Sequence, residues 1–281
     1  MTRATTAFTR HAGVIGAPVR HSLSPTLHNA AYEALDLDLV YGAYEVQPGD
    51  AGAALAGATA LGFVGISVTT PHKDAIARAS DDRTRRVELL GAANSVAIRD
   101  GKSLADSTDG EGLLDDLARS FGFDPSGARC AVLGAGGAAR DVVLSFADAG
   151  AAQVVVVNRS ASKAAAASEL AGDRGRVGSL DELGDFDVVI NATSIGLLPD
   201  READEVARSF AANVRAGQLV VDLVYRPSRT LFLELASASG ARTRNGLGML
   251  VHQAARQVEF FTGLEAPIEV MWASVEREAT S

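Results

Sequence analysis

The segment that most restricts what this chain can fold into is Arg129 to Leu133, an apolar run ending directly in Gly134-Ala135-Gly136-Gly137-Ala138-Ala139. An Ala/Val/Leu-rich stretch follows to about Ala149. This reads as a buried strand, a glycine turn and a helix in immediate succession, with the spacing G-x-G-x-x-A. Gly134 suits the tight turn, Gly136 leaves the backbone open to a pyrophosphate, and Ala139 lets the helix pack closely. The unpaired amides at the start of the helix make an anion site. A glycine turn alone could be a plain connection; between a predicted strand and a predicted helix it favours a dinucleotide site.

Short β-branched runs and Ala/Leu-rich stretches alternate through most of the chain, the pattern of α/β units rather than of a sandwich or a helix bundle. Strands are expected near Ala12 to Gly16, Val40 to Val46, Phe63 to Val68 and Ser95 to Ile98, with helices at Pro25 to Leu35, within Asp50 to Leu61 and from Pro71. Beyond about Asp109 come helices at Gly112 to Ser120 and Lys163 to Leu170 and strands at Val154 to Val157, Asp187 to Ile190 and Leu219 to Asp222. That order predicts a doubly wound nucleotide domain. Two helices close the chain, about Gly248 to Phe261 and Pro267 to Glu276; Leu247, Leu250, Val251, Ala254, Val258 and Phe261 recur at helical spacing. At roughly 150 residues per domain, the 281 residues fit about two domains.

Composition excludes several classes. With 26 basic and 35 acidic side chains the formal net charge is -9, so the molecule should repel a phosphate backbone, and no nucleic-acid partner is expected. The single cysteine, Cys130, rules out an intrachain disulfide and a multi-thiolate metal site; it reads as buried strand filler in a reducing compartment. No leader pattern opens the sequence, and Asp, Arg or Gly interrupts every apolar stretch before it could cross a bilayer, so a cytoplasmic protein without a membrane partner is expected. The 5 histidines lack metal-ligand spacing, so no metal is expected, and His28 and His72 read as structural.

After Val157, where an acid would bind a ribose 2′-hydroxyl, stand Asn158-Arg159-Ser160, with Lys163 following. Arg159 can fork onto a 2′-phosphate, and one charge-assisted contact of roughly 1.5 to 3 kcal/mol corresponds to about ten- to hundredfold preference for NADP over NAD. Ser22-Leu23-Ser24-Pro25 places Ser24 at a helix N-cap with Pro25 at the first helical position; the two hydroxyls beside a positive helix terminus equally suit a small carboxylate. Thr70-Pro71-His72-Lys73 repeats the pattern and puts Lys73 in a first helical turn, where a cation opposes the macrodipole by about 0.3 to 1 kcal/mol. A residue that breaks a local rule marks a candidate functional position, an exposed Lys turned away being the alternative. Asp109, before Gly110, reads as a cap or as a functional carboxylate. Asn191 to Ser194 and Asp222 to Tyr225 follow predicted strands, the end at which open α/β sheets bind ligands.

Together, Ser22-Leu23-Ser24, Val68-Thr69-Thr70-Pro71-His72-Lys73, Gly91-Ala92-Ala93-Asn94-Ser95, Thr108-Asp109-Gly110, the glycine turn, Asn158-Arg159, Asn191 to Ser194 and Gly246 to Gln253 resemble the shikimate dehydrogenase family in type, order and spacing. The resemblance implies a two-domain α/β fold. One is a substrate-binding and catalytic domain, 1–109 plus 241–281, completed by the C-terminal helices; the other is a Rossmann-type NADP-binding domain, 110–240. It implies reversible NADP-linked reduction of 3-dehydroshikimate to shikimate, in the shikimate pathway to chorismate and the aromatic amino acids. By the same resemblance Ser22 and Ser24 bind a carboxylate, Thr69, Asn94, Asp109 and Gln253 bind ring hydroxyls, and Tyr225 borders the substrate. Gly134, Ala135, Gly136, Gly137, Ala138, Asn158, Arg159, Ser160, Lys163, Thr193, Leu223 and Gly246 are placed around NADP. A ketone under reduction develops charge on oxygen and needs a positioned proton or cation. Lys73 and Asp109 are read as the catalytic pair, with Lys73 the proton donor.

The chain departs from the commonest family pattern at Ser67, where Asn usually stands, and at Ala93 and Ser95, where Val and Thr are more usual. A shorter Ser67 would drop one substrate hydrogen bond, which keeps quinate and related cyclohexane acids as alternative substrates. A non-catalytic NADPH-sensing module is the competing class, and the presence of Lys73 and Asp109 counts against it. The expected partner is a small-molecule substrate, with the protein a monomer or a homodimer.

Overall fold

The apolar runs become strands of two separate six-stranded sheets in the computed structural model, which describes residues 5–198 and 200–279, the side chains of 277–279 excepted. The chain divides into unit one, 5–108 with 251–279, and unit two, 109–250.

Unit one begins β1 (Arg10–Gly16), α1 (Ser24–Ala34), β2 (Leu39–Glu45), α2 (Ala51–Ala60), β3 (Gly65–Val68) and α3 (Lys73–Ala79). It continues β4 (Asp82–Arg83), α4 (Arg85–Leu90), β5 (Ser95–Arg99) and β6 (Lys102–Asp106). The strands lie in the order β2-β1-β3-β5-β6-β4. β2, β1 and β3 are parallel, as the alternation predicts, but β5 runs antiparallel to both β3 and β6. The local cause is Asp100-Gly101, both at positive φ (51 and 72), which joins the paired residues Arg99 and Lys102 by a two-residue turn. Such turns match the right-handed twist of a hairpin, and Asp-Gly is among the sequences that form them. The expected strand at Ser95 is therefore half of a hairpin. Ile15, Leu55, Ile66, Val68, Ile76 and Val96 form the core on one face of this sheet.

Unit two runs α5 (Asp109–Phe121), β7 (Arg129–Leu133), α6 (Gly137–Asp148), β8 (Gln153–Val157), α7 (Ala161–Ser168) and β9 (Gly175–Val177). It ends β10 (Val188–Asn191), α8 (Arg201–Ala211), β11 (Leu219–Asp222), α9 (Leu231–Ala238) and β12 (Arg242–Asn245). All strands are parallel in the order β12-β11-β10-β7-β8-β9, the doubly wound arrangement, with the winding reversed between β7 and β10. Cys130 and Val132 pack into one core and Ala131 and Leu133 into another, one on each side, which is why β7 reads as a continuous apolar run. Cys130 is fully buried there, and burial pushes its thiol pKa up. Of the elements the sequence does not announce, α8 is started by Asp200, whose carboxylate accepts from the Glu202 and Ala203 amides, and its buried residues are Ala207, Phe210 and Ala211. That stripe is too thin to stand out from a charged segment. On β12, Arg244 donates from Nε to Asp116 Oδ2 of α5 at 2.9 Å and from a second nitrogen to Oδ1.

α10 (Leu247–Thr262) starts in unit two and continues into unit one from Val251, and α11 (Ile268–Ala279) packs against α1. No helix among the described residues is long and apolar enough to cross a membrane.

Candidate active site

Unit one delivers its candidates at the carboxyl ends of β1 and β3. After β1, α1 opens on Ser24 itself, with Leu23 in the cap position and Pro25 second. The Ser24 amide donates to Ser22 Oγ at 3.2 Å, so Ser22 rather than Ser24 satisfies this helix-start amide, and the cap position falls one residue earlier than expected, at Leu23. Ser24 is buried and Ser22 half-buried. After β3, the Thr69 amide donates to the Ile15 carbonyl at 3.0 Å, which ties the two strand ends together. α3 begins at Lys73 with His72, not Thr70, at the cap; Lys73 stands in the first turn as expected. His72 is buried and donates from Nε2 to the Val46 carbonyl at 2.8 Å, a structural role.

Backbone bonds then set Lys73 beside Asn94. The Ala93 amide donates to the Lys73 carbonyl at 3.1 Å, and the Val68 amide to the Asn94 carbonyl at 2.7 Å. Asn94 Oδ1 accepts from the Thr108 amide at 2.9 Å, while its Nδ2 donates to Thr108 Oγ1 at 3.1 Å and to Gln253 Oε1 at 3.4 Å. Asn94 and Gln253 are thus brought together, with Thr108 between them, a residue the sequence offered only as the neighbour of Asp109.

Ser67 is buried, and its hydroxyl accepts from the Tyr41 hydroxyl at 2.6 Å and donates to Gln257 Oε1 at 2.5 Å. Its one donor and one of its acceptor lone pairs are committed inside unit one. Gln257 was missed, although a Gln four residues after Gln253 beside the apolar stripe of α10 was a usable signal. His28 is fully buried and stacks on Tyr41 at 4.0 Å between ring centroids. Burial lowers its pKa to about 3, the Gln257 side chain acting in the opposite sense, so the ring is neutral and structural.

In unit two, Asp109 is the first residue of α5 and is buried, where a carboxylate complements the helix macrodipole. Gly134 has φ +114, and a side chain there would press on the Ala192 carbonyl at 3.0 Å and Thr193 at 3.1 Å. The ends of β7 and β10 therefore meet closely at the reversal of the winding. Gly136 caps α6 in extended conformation without a side-chain hydrogen bond, and a side chain on it would meet nothing within 4 Å. The first amides of α6, from Gly137 and Ala138 with Ala135 in the turn before them, so border open space, which fits a pyrophosphate.

Asn158, Arg159 and Ser160 follow β8, with the Asn158 Nδ2 donating to the Ser160 carbonyl at 3.1 Å; Arg159 and Lys163 are exposed. The exposed cations and absent acid there suit a 2′-phosphate. Thr193 is held by Asn191, whose Oδ1 accepts from the Thr193 amide at 3.1 Å and hydroxyl at 2.6 Å. A side chain on Gly246 would lie 2.0 Å from the Leu223 carbonyl oxygen, so tight packing joins these two candidates. Tyr225, two residues on, is half-buried.

Asn191 is in turn fixed by Asp222, a role the sequence did not reveal. Asp222 is fully buried and accepts from Asn191 Nδ2 at 2.9 Å, the Val224 amide at 3.0 Å and Thr230 Oγ1 at 2.6 Å. Burial raises its pKa from 3.8 to about 6, more than these bonds lower it. A raised carboxyl stabilises the fold fully below its unfolded value and loses that contribution as pH rises through about 6. Asp222→Asn, neutral at every pH, is therefore expected to flatten the stability profile between pH 4 and pH 7. At pH 8 its unfolding free energy should exceed the wild type's by about 2 kcal/mol, read by urea titration; unchanged pH dependence would contradict the shift.

Comparison with known proteins follows the same division. The family model described as the shikimate dehydrogenase substrate binding domain matches residues 14–96, that described as shikimate/quinate 5-dehydrogenase matches 116–225, and that described as the shikimate 5′-dehydrogenase C-terminal domain matches 246–276. The chain is 43% identical over 279 residues to shikimate dehydrogenase (NADP(+)) of Methanopyrus kandleri, covering 96% of each chain. A crystal structure of a shikimate dehydrogenase in complex with NADP+ matches with a TM-score of 0.92 at 36% identity, covering 100% of this chain and 99% of that one. The ligand-free 5-ketofructose reductase of a Gluconobacter strain matches with a TM-score of 0.82 at 33% identity, covering 97% and 100%.

Proposed function

The chain belongs to the shikimate dehydrogenase family, and from that premise we propose that unit one binds the substrate, unit two binds NADP, and Lys73 and Asp109 are the catalytic residues. The protein is an NADP-dependent oxidoreductase that reversibly reduces 3-dehydroshikimate to shikimate, in the shikimate pathway. The observation that carries the assignment of roles is the cluster in which Lys73, at the start of α3, is tied through Ala93 to Asn94, whose amide meets Gln253.

Bound NADPH supplies the hydride. Lys73 holds at Nζ the proton that the developing alkoxide takes up, and the same nitrogen receives it in the oxidative direction. Ser22 and Ser24 donate to the substrate carboxylate; Thr69, Asn94, Asp109 and Gln253 orient the ring hydroxyls, with Tyr225 alongside. The backbone of Gly134, Ala135, Gly136, Gly137 and Ala138 receives the pyrophosphate. Asn158, Arg159, Ser160 and Lys163 receive the adenosine phosphate, and Thr193, Leu223 and Gly246 line the rest of the cofactor. A lone buried Cys130 supports a reducing, cytoplasmic setting.

A second reading, quinate or a related acid, is favoured by the shikimate/quinate description of the model over 116–225. Initial rates of oxidation of shikimate and quinate with NADP or NAD, and of reduction of 5-ketofructose with NADPH or NADH, separate the readings. Shikimate with NADP is expected to dominate, and Arg159→Ala should cost about ten- to hundredfold in kcat/KM with NADP while sparing NAD. A preference for quinate or the keto sugar would overturn the substrate, and equal losses with both cofactors would overturn the role of Arg159.

A further inference from the structure

We infer that Asp222 and Asn191 are positioning residues for the coenzyme: one buried carboxylate holds in place the three segments that bring Thr193, Leu223 and Gly246 to NADP. The inference rests on the reading of those three as cofactor-lining residues. It also defines what Thr193 does there, because its hydroxyl is an anchor for the loop and not a donor to the cofactor.

Amide orientation follows from the surrounding donors and acceptors, and at Asn191 they allow one answer. The Thr193 backbone amide can only donate, so the atom it meets at 3.1 Å is Oδ1. The Ile195 carbonyl can only accept, so the atom 3.2 Å from it is Nδ2, which also donates to Asp222 Oδ1 at 2.9 Å. An amide oxygen carries no proton, so in the 2.6 Å contact between Thr193 Oγ1 and Asn191 Oδ1 the proton is the hydroxyl's. Thr193 Oγ1 in turn accepts from the Ile195 amide at 3.1 Å. These bonds hold the side chain with its methyl over the glycine turn, 3.1 Å from where a side-chain carbon on Gly134 would stand. Thr193 therefore shapes the coenzyme site by where it sits.

Asp222 joins this loop to the next two segments. Its Oδ1 takes the Val224 amide at 3.0 Å as well as Asn191, and its Oδ2 takes the hydroxyl of Thr230, the cap of α9. The Leu223 amide donates to the Asn191 carbonyl at 2.9 Å, and the Gly246 amide to the Val224 carbonyl at 3.2 Å. Leu223 is thus tethered on both sides, and Gly246, packed on its carbonyl, follows. Asn191 and Asp222 are both fully buried, so solvent does not replace a lost partner. A segment released from its tether spends less time in the binding conformation, and the apparent dissociation constant rises by the inverse of the competent fraction.

The test is the dissociation constant of the full-length protein for NADPH and for NADH, titrated by coenzyme fluorescence without substrate, beside KM for shikimate. Thr193→Val, nearly the same shape without the hydroxyl, and Asn191→Ala are each expected to raise both dissociation constants about three- to tenfold. NADPH and NADH should shift by the same factor, because none of the three segments carries a residue assigned to the adenosine phosphate, and KM for shikimate at saturating NADP should not move. In the Asn191→Ala background, Thr193→Val should add nothing, because the partner its hydroxyl acts through is gone. Asp222→Ala should weaken both coenzymes at least as much. Asp222→Asn should recover most of that loss, since an amide oxygen can still accept from Asn191 and Val224 while its nitrogen donates to Thr230. Independent, multiplying effects of Thr193→Val and Asn191→Ala, or a loss in Asp222→Asn as large as in Asp222→Ala, would overturn the inference. Unchanged coenzyme binding in both Thr193→Val and Asn191→Ala would instead overturn the placing of Thr193 at the cofactor. Asp222→Asn also supplies the background for repeating the cycle if Asn191→Ala does not fold, because no buried charge is then left short of a donor.

Discussion

Replacing Lys73 by Ala is expected to lower kcat for shikimate oxidation by about 10² to 10⁴ while KM changes far less. In oxidation the shikimate hydroxyl must give up its proton as hydride leaves carbon, and in reduction the developing alkoxide must gain one; a positioned group is worth that much because the barrier no longer includes bringing one in. The fold gives the substitution a second signature. Lys73 is the first residue of α3, where its charge opposes the helix macrodipole, so its loss should leave thermal stability unchanged or raise it by about 0.3 to 1 kcal/mol. A variant that is as stable as the parent and nearly inactive assigns the residue to chemistry. Near-normal kcat would defeat the assignment, and inactivity with a collapsed melting temperature would show that Lys73 serves the fold instead. Single-turnover measurement at saturating NADP confines the comparison to the chemical step.

The largest expected effect on stability comes from Arg244→Met. Asp116 on α5 has a fully buried side chain, and Arg244 meets it with two nitrogens; the other donor to Asp116 among the described hydrogen bonds is the Ser120 hydroxyl at 3.0 Å. Removing the cation strands a carboxylate in a low-dielectric interior, at a cost of about 3 to 5 kcal/mol. Urea unfolding at neutral pH should show that loss. The penalty belongs to the unpaired charge rather than to lost packing, so adding Asp116→Asn should recover most of it. If the double variant is no more stable than Arg244→Met, the ion pair is not what holds α5 against β12.

Legibility in the sequence followed the scale of the signal. The glycine turn after an apolar run announced the doubly wound unit because its strands are buried on both faces and its turn needs positive φ and close backbone approach at Gly134, two demands that leave few alternatives at Gly134 to Ala139. The hairpin of unit one was hidden because periodicity reports burial and not strand direction; only Asp100-Gly101 carried that information. The roles of Thr108, Gln257 and Asp222 were hidden for another reason. Each works through a partner far along the chain or through a neighbour's backbone, as with Ser67 and Gln257, which are 190 residues apart. Composition and spacing carry no trace of such long-range pairs, and the four-residue step from Gln253 to Gln257 points only to the helix face the two share. Ser67 looked like a loss when read alone, and becomes intelligible once Gln257 stands beside it.

The path of the chain also bears on how the protein is made. All six strands of unit one are synthesised before residue 109, yet Gln253, Gln257 and the helices that complete it come after unit two. At about 5 to 20 residues per second, those strands wait on the order of 7 to 30 s on the ribosome with α2 and α3 on one face and the place of Phe261 beside Gly65 still open. Unit two, continuous from 109 to 250, has its whole sheet in hand before the last helices emerge. Translation that stops near residue 250 therefore yields a nucleotide-binding half without a finished partner, a product able to sequester coenzyme but unable to turn it over. Surveillance of the nascent chain matters more for this topology than for one whose two units follow each other in order.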